Sequence, residues 1–245
     1  ILDEDALSQA MENCSIVFHE AALVSVPQSV EDPEFCDLVN VSGTKNVIEA
    51  AKHAGSERII FASSAACYGS NPTLPSTETD SLSAESPYAM SKRAGELLME
   101  QLTELDSVSL RYFNVFGPRQ DASSQYAAVV SAFADASQHH RTPVIYGDGN
   151  QTRDFTHVSN IVHANLIAAA YEHRLHGSIF NVGTGNAISI MQLLQLMQGN
   201  DEVDVEFKPV RQSDVHHSCA NINAITHVLG YHPIVDTTVA IGVGS

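Results

Sequence analysis

The chain has 245 residues, 44% hydrophobic and 17% charged, a composition ordinary for a soluble globular protein of one large or two small domains. Twelve basic against 29 acidic residues give a formal charge of −17, which argues against nucleic acid or an anionic membrane surface as partner. An anionic small ligand stays open, because a few well-placed arginines can dominate a pocket.

In chain order, the spacing predicts a short helix over 5–13 and a buried strand over 15–20 that ends in the small-residue turn Ala21-Ala22. A long amphipathic helix over 33–54 starts near Asp32-Pro33 and is stopped by Gly55. A strand over 58–62, a Pro/Ser/Thr-rich loop over 69–86, a helix from Ser86 to about residue 105 and a strand over 107–113 follow. Beyond Gly117-Pro118 the pattern loosens. Helices are expected over 124–138, 160–173, 190–198 and 222–229, and strands over 144–146, 153–158, 179–182 and 203–207. Strands alternating with helices of this length predict βαβ units and an α/β fold, a doubly wound parallel sheet with helices on both faces.

Cys14, Cys36, Cys67 and Cys219 show no disulfide or metal spacing, and the twelve histidines make no ligand pattern with a nearby carboxylate. Reduced thiols in the cytoplasm and no metal are expected. No apolar run approaches the roughly 20 residues that span a bilayer, and no signal peptide is visible. Ile1 runs directly into Asp3-Glu4-Asp5 with no initiator Met and no Gly-rich loop, so the first strands of the fold are expected to be missing.

The richest stretch is Ser86-Pro87-Tyr88-Ala89-Met90-Ser91-Lys92, preceded by Phe61-Ala62-Ser63-Ser64-Ala65-Ala66-Cys67-Tyr68-Gly69. Tyr88 and Lys92, four apart, share one helical face. The Lys92 ammonium is expected to lower the Tyr88 phenol toward neutrality, where it takes a proton from a sugar hydroxyl, with Ser64 bonding the same oxygen. An isolated Tyr-x-x-x-Lys would be an ordinary surface pair; the serine upstream and the motifs around it tell against that. Ala21-Ala22, Ser63-Ser64 and Phe113-Asn114 all follow predicted strands, where ligands sit in open α/β sheets.

The chain resembles the UDP-sugar 4-epimerases of the extended short-chain dehydrogenase/reductase superfamily. The resemblance runs in order through Val17 to Ala22, Asn40 to Thr44, Ser63 to Gly69, Ser86 to Lys92, Leu110 to Gln120, Gly147 to Phe155 and Phe180 to Gly183. It implies NAD as a bound cofactor and a Rossmann-like domain over 1–113 and 153–183. A smaller substrate lobe is implied over 114–152 and 184–245.

The resemblance also implies roles. Ser64, Tyr88 and Lys92 are catalytic, and Ile1, Ala21, Ala22, Ser63, Tyr112 and Phe113 join Tyr88 and Lys92 around the cofactor. Ser25, Asn114, Val129, Tyr146, Arg153, Arg211, Asp214 and Ser218 join Ser64 and Tyr88 around the UDP-sugar. Asn40 and Asn181 are expected to hold backbone. A bland reading of Arg153 is an ion pair with Asp154; for Arg211, a place in a polar loop with Lys208 and Asp214.

Related dehydratases and decarboxylases need an added acid beside the catalytic serine. Here Ala65, Ala66 and Cys67 follow Ser64, which disfavours both. UDP-glucuronate 4-epimerase stays open, and so does a silent NAD-binding protein, against which the intact Ser64, Tyr88 and Lys92 argue. A homodimer through the helices over 33–54 and 87–105 is expected from the resemblance.

Overall fold

The structure, a computed structural model, describes residues 1–120, 129–199, 204–210 and 215–243. Helix α1 (Glu4–Ala10) precedes strand β1 (Ile16–His19), and α2 (Val26–Glu31), α3 (Pro33–Asp37), a π turn (Leu38–Ser42) and α4 (Gly43–Ala54) lead to β2 (Arg58–Ser64). A 3₁₀ turn (Ala65–Tyr68) opens a long loop before α5 (Pro87–Glu100) and β3 (Asp106–Tyr112). Then come β4 (Val115–Phe116), α6 (Val129–Gln138), β5 (Val144–Tyr146), β6 (Thr152–Arg153), β7 (Thr156–His157) and α7 (Val158–Ala170). The chain continues through β8 (Ser178–Val182), β9 (Ile188–Ser189), α8 (Ile190–Gln198), β10 (Glu206–Lys208), α9 (Asn223–Leu229) and α10 (Thr237–Val243).

β1, β2, β3 and β8 pair in that order into one parallel sheet. Both faces are covered, which explains why β2 and β3 are apolar or buried almost throughout. Side chains alternate between two cores, as a period of two requires. Ile59 and Phe61 of β2 face α1, α4 and α5 among Val47, Ile48, Ala51, Met99 and Leu105. Ile60 faces α7 and α9 among Val108, Leu110, Ile161, Ala164, Phe180 and Ile225. A third apolar cluster joins α6, α8 and α10 through Phe133, Leu193 and Ile241, with Phe116, Ile145 and Phe155. The doubly wound α/β sheet inferred from the sequence is therefore the fold observed.

Several elements differ from expectation for local reasons. The helix over 33–54 is interrupted by its π turn, the widening that accommodates an inward-turned Asn40. The Asn40 Oδ1 accepts from the Leu23 N–H at 2.7 Å, and its Nδ2 donates to the Leu23 carbonyl at 3.0 Å. The helix before β3 ends at Glu100, because the Met99 carbonyl takes the Ser107 hydroxyl at 2.8 Å and the chain turns into the strand. The strand over 153–158 splits in two. Asp154, fully buried between the halves, accepts from the backbone N–H groups of Thr184, Gly185 and Ala220. Helices α2 and α10 were not expected, and residues 124–128 of the predicted helix over 124–138 lie outside the described ones.

Helix α5 packs tightly on β2 at Gly95. A Cβ built there would stand 2.2 Å from Cζ of Phe61. Gly95→Ala sets better helix propensity, about 1 kcal/mol, against overpacking of about 1–3 kcal/mol. The ring belongs to a packed core strand, so overpacking is expected to win and the thermal midpoint by circular dichroism to fall. Gly95→Ala combined with Phe61→Leu is expected to recover part of the loss; a single variant as stable as the wild type would show that the strand yields.

Candidate active site

The carboxyl ends of β1, β2 and β3 open on a crevice of about 470 Å³. Its walls include Ser64, Tyr88, Asn114, Arg153 and Ser218, residues up to 154 apart in sequence that the expectation had placed together. Helix α5 is aimed there by three features. Ser86 caps it by accepting the Ala89 N–H at 3.1 Å, Pro87 occupies its first turn, and the Tyr88 N–H donates to Ser29 Oγ of α2 at 3.1 Å.

Tyr88 and Lys92 follow on one face. Lys92, 3% exposed, donates from Nζ to the Ala62 carbonyl at 2.6 Å and lies over the rings of Phe61 and Tyr88, at 5.1 and 5.9 Å from their centroids. Ser64 Oγ accepts from the Ala66 N–H at 3.1 Å, so its own proton is available to the Tyr88 oxygen, with which it is hydrogen-bonded.

The expected ionisation of Tyr88 is corrected. Burial pushes the phenol up to about 12, opposed by the Ser64 hydrogen bond. The Lys92 charge does not bring it toward neutrality: the ammonium bonds the Ala62 carbonyl and lies 5.9 Å from the centroid of the Tyr88 ring. Burial also lowers Lys92 itself, to about 8.

Among the described residues three phenols line the crevice, and their partners separate them. Tyr68 donates to Asn181 Oδ1 at 2.7 Å and accepts from Arg111 at 3.0 Å. Tyr112 accepts from Asn165 Nδ2 at 2.7 Å and donates to Glu20 Oε1 at 2.8 Å. Both of those protons are committed. Tyr88 instead faces a hydroxyl.

On the cofactor side, Ala21 and Ala22 continue β1 with nothing larger than methyl groups, and Asn40 anchors the chain just beyond them. Ser63 lines the crevice, but its hydroxyl proton goes to Glu96 Oε1 at 2.6 Å, which leaves it a structural bond and not a free ligand donor. Phe113 is 1% exposed and packs on Tyr68. Ile1 lies against Gly43 at the start of α4, and its carbonyl takes the Asn46 amide at 3.3 Å.

On the substrate side, Ser218 donates to Asn114 Oδ1 at 3.0 Å. Arg153 is buried and donates to the carbonyls of Thr152 and His216. Ser25 caps α2, and its neighbours Val24 and Val26 line the crevice. Tyr146 stands in a separate small cavity that shares Val215 with the crevice, while Val129 joins the α6–α8 core. Arg211 and Asp214 lie outside the described residues. Tyr68, Val215 and Gln120 were not anticipated as lining; Tyr68 and Gln120 sit inside motif blocks that could have signalled them.

Among the described residues no Asp or Glu lines the crevice, no group of three or more His, Cys, Asp and Glu could hold a metal ion, and no helix is long and apolar enough to cross a membrane. The small residues after β1 and a Lys92 ammonium with one bonded carbonyl and further N–H capacity fit a nicotinamide dinucleotide lying across the strand ends.

A parallel sheet carrying Ser, Tyr and Lys at its carboxyl end defines a short-chain dehydrogenase/reductase. More narrowly, the chain belongs to the NAD dependent epimerase/dehydratase family, whose model matches residues 1–183. It is 38% identical over 226 residues to a UDP-glucose 4-epimerase of Mycolicibacterium smegmatis, covering 90% of this chain and 71% of the relative. A UDP-N-acetylglucosamine 4-epimerase from Methanobrevibacter ruminantium, solved with UDP-N-acetylmuramic acid, superposes with a TM-score of 0.92 at 36% identity, over 98% of this chain and 78% of that one. A UDP-glucose 4-epimerase of Thermotoga maritima, solved with UDP-glucose, gives 0.91 at 30%, over 99% and 80%. The likeness to NAD-using UDP-sugar 4-epimerases is borne out.

The buried ammonium has a cost in stability. A fall from the ordinary lysine value of 10.5 to about 8 corresponds to roughly 3 kcal/mol at most, offset in part by the charge-assisted bond to the Ala62 carbonyl. Lys92→Met, close in shape, is expected to raise the thermal midpoint at pH 7 by a few degrees. Between about pH 8 and 10.5 the unfolded chain binds the proton that the folded one has lost, so the wild type gains stability with rising pH and the difference narrows. A variant melting below the wild type at pH 7 would refute the assignment of a net cost.

Proposed function

We propose that the protein inverts C4 of a UDP-hexose through a 4-keto sugar, with UDP-N-acetylglucosamine and UDP-N-acetylgalactosamine as its preferred pair and UDP-glucose and UDP-galactose as an equal or poorer one. The observation that carries this is the Tyr88 hydroxyl. Of the three crevice phenols it alone has a hydroxyl, Ser64, as its hydrogen-bond partner, in place of a carboxylate or amide acceptor. When bound, NAD would supply the acceptor and the donor of a hydride for the sugar carbon, and a positive charge that favours the Tyr88 phenolate. Tyr88, in that phenolate form, takes the proton of the 4-hydroxyl, becoming the phenol, and later gives it back; Ser64 donates to the phenolate whenever the proton is off it.

Lys92 keeps a positive charge under the ring. Arg153 and Asn114 are the groups placed to hold the diphosphate, the guanidinium matching oxyanion geometry. Among the described residues no carboxylate lines the crevice, which supports epimerisation over dehydration or decarboxylation, reactions that need an added acid beside the serine. Val30, Phe35, Leu38, Met90 and Leu97, exposed on or beside α2, α3 and α5, support assembly of two copies through that surface. Tyr88→Phe keeps the volume and removes the proton carrier, so turnover is expected to fall by orders of magnitude with the melting curve unchanged. Retention of more than a tenth of the wild-type rate would remove Tyr88 from this role.

The preference for acetylated sugars rests on Ser218. Its side chain is in the crevice wall beside Asn114, 8% exposed, so it is no solvent-side loop residue. A phenol at that place would fill roughly the volume of an acetamido group. Ser218→Tyr is therefore expected to abolish kcat/KM for the acetylated pair while leaving the non-acetylated pair within about tenfold. Equal losses on both pairs, or no turnover of the acetylated pair by the wild type, would end the specificity assignment.

A further inference from the structure

We infer that Asp154 is a positioning residue for substrate binding: its buried carboxylate fastens the extended segment 216–221 to the end of β6 and so sets the place of Ser218 in the crevice wall. The inference rests on the reading of the crevice as a UDP-sugar site with Ser218 as its specificity residue. Segment 216–221 runs parallel to β6. The Thr152 N–H donates to the His216 carbonyl and the Ser218 N–H to the Thr152 carbonyl, both at 3.1 Å. The next donor of that edge, two residues on, is the Ala220 N–H. It is answered by a side chain, Asp154 Oδ2 at 3.1 Å, where a regular ladder would offer a carbonyl. Ser76 holds the opposite edge: its N–H donates to the Cys219 carbonyl at 2.8 Å, and its carbonyl takes the Asn221 N–H at 2.9 Å.

The same carboxylate ties in a third stretch, the turn after β8. Its Oδ1 accepts the Thr184 N–H at 2.9 Å and the Thr184 hydroxyl at 2.7 Å, and Oδ2 accepts the Gly185 N–H at 3.0 Å. Each oxygen thus takes two donors, which offsets the lost hydration of a fully buried carboxylate. Packing there leaves no slack. A Cβ built on Gly183 would stand 2.8 Å from Asp154 Oδ2 and 2.6 Å from the Ala220 Cβ. Ala220 is seated among Tyr68 and Phe113, which both line the crevice.

What Asp154 holds in place is the polar wall on the substrate side. Two residues before Ala220, Ser218 donates to Asn114 Oδ1 at 3.0 Å. Two residues after Asp154, the Thr156 N–H donates to the Asn114 carbonyl at 3.1 Å. Arg153, its chain neighbour, bonds the carbonyls of Thr152 and His216 and so rides on the same seam. Ser64, Tyr88 and Lys92 stand on β2 and α5, which the four bonds of Asp154 do not touch. Loss of the carboxylate is therefore expected to act on binding and to spare the chemical step.

The test pairs hydrogen exchange at the Ala220 amide with steady-state kinetics. In the wild type that amide is expected to exchange at least about a hundredfold more slowly than in an unstructured chain, and exchange at the unstructured rate overturns the inference. Asp154→Ala leaves room for water and is expected to speed exchange at Ala220 at least about tenfold, with Ile60 and Leu110 in the sheet unchanged. It is expected to raise KM for the UDP-sugar about tenfold and to leave kcat within about threefold. An unmoved KM, or a kcat that falls as far as KM rises, overturns the inference; the second is the mark of a merely structural loosening. Should Asp154→Ala fail to fold, Asp154→Asn decides. Its one oxygen can answer the Ala220 side or the Thr184 side, and KM must follow the Ala220 amide: protection kept with a wild-type KM, or protection lost with a raised one. A KM that moves without that amide, or an amide that moves without KM, refutes the role. Exchange is read without substrate. A wild type that turns over no UDP-sugar thus marks the failure of the functional reading, and a fast Ala220 amide the failure of this one.

Discussion

The structure depends on a buried ion pair between a helix and a strand. Glu96 of α5 is fully buried, and Arg111 of β3 is 1% exposed. They meet in a two-pronged contact, Nε to Oε1 at 2.7 Å and Nη2 to Oε2 at 2.8 Å. Burial alone would push the Glu96 carboxyl up; Arg111, Ser63 and Arg93 together hold it below its ordinary value. Such a pair adds little net stability over apolar residues, but losing one partner strands a charge in the interior, at about 3–5 kcal/mol. What it adds is orientation. Tyr88, Lys92 and Glu96 are successive steps of four along one helical face, so locking Glu96 on Arg111 and Ser63 sets the rotation of α5 that aims the other two. Arg111 passes the constraint on through Tyr68 to Asn181 at the end of β8.

A second buried pair pins the opposite end of the same sheet, and the contrast explains where chemistry can occur. At the start of β2, Arg58 bonds Asp106 at 2.7 Å and donates to the carbonyls of Ala168 and Ala169 in the last turn of α7 and of Tyr171 and His173 just beyond it. Asp106 also takes the N–H groups of Leu175 and His176. Every strong donor there is answered by the chain, which makes that end a closed joint. At the carboxyl end the polar groups are also held, but Ser64, Tyr88 and Lys92 keep capacity to spare. The same sheet is finished at one end and open at the other.

How much of this was legible follows from the range of each signal. Apolar runs and period-two alternation placed β1, β2, β3 and β8, and the Tyr88–Lys92 spacing with Ser64 upstream pointed to three residues that the fold brings together, because these are local patterns. Helix α2 was missed although Ser25 and Pro27 are start signals, since six residues give too little periodicity. The ionisation of Tyr88 was misjudged because spacing puts Lys92 on the right face without saying which carbonyl its ammonium meets. Glu96 offered a faint signal, one more step of four beyond Lys92, with Arg111 an arginine inside an apolar strand. Their pairing, like that of Glu20 with Tyr112, depends on strand register and is not written in any single segment.

The site is therefore built against its own preferences. Burial drives the phenol away from phenolate and the ammonium away from its charge, yet the proton transfer proposed for Tyr88 needs both forms close at hand. A site that relaxed this by exposure would let water compete for the sugar hydroxyl and would lose the strong electrostatics of a desolvated crevice. Instead the fold keeps the groups buried and spends rigid elements on holding them: the capped start of α5, the Glu96–Arg111 lock and the Asn40 anchor beyond β1. Because those contacts come from four strands and helices that fold as one core, the strain at Tyr88 and Lys92 is carried by packing some distance away. That is why the residues that fix the chemistry outnumber the residues that perform it.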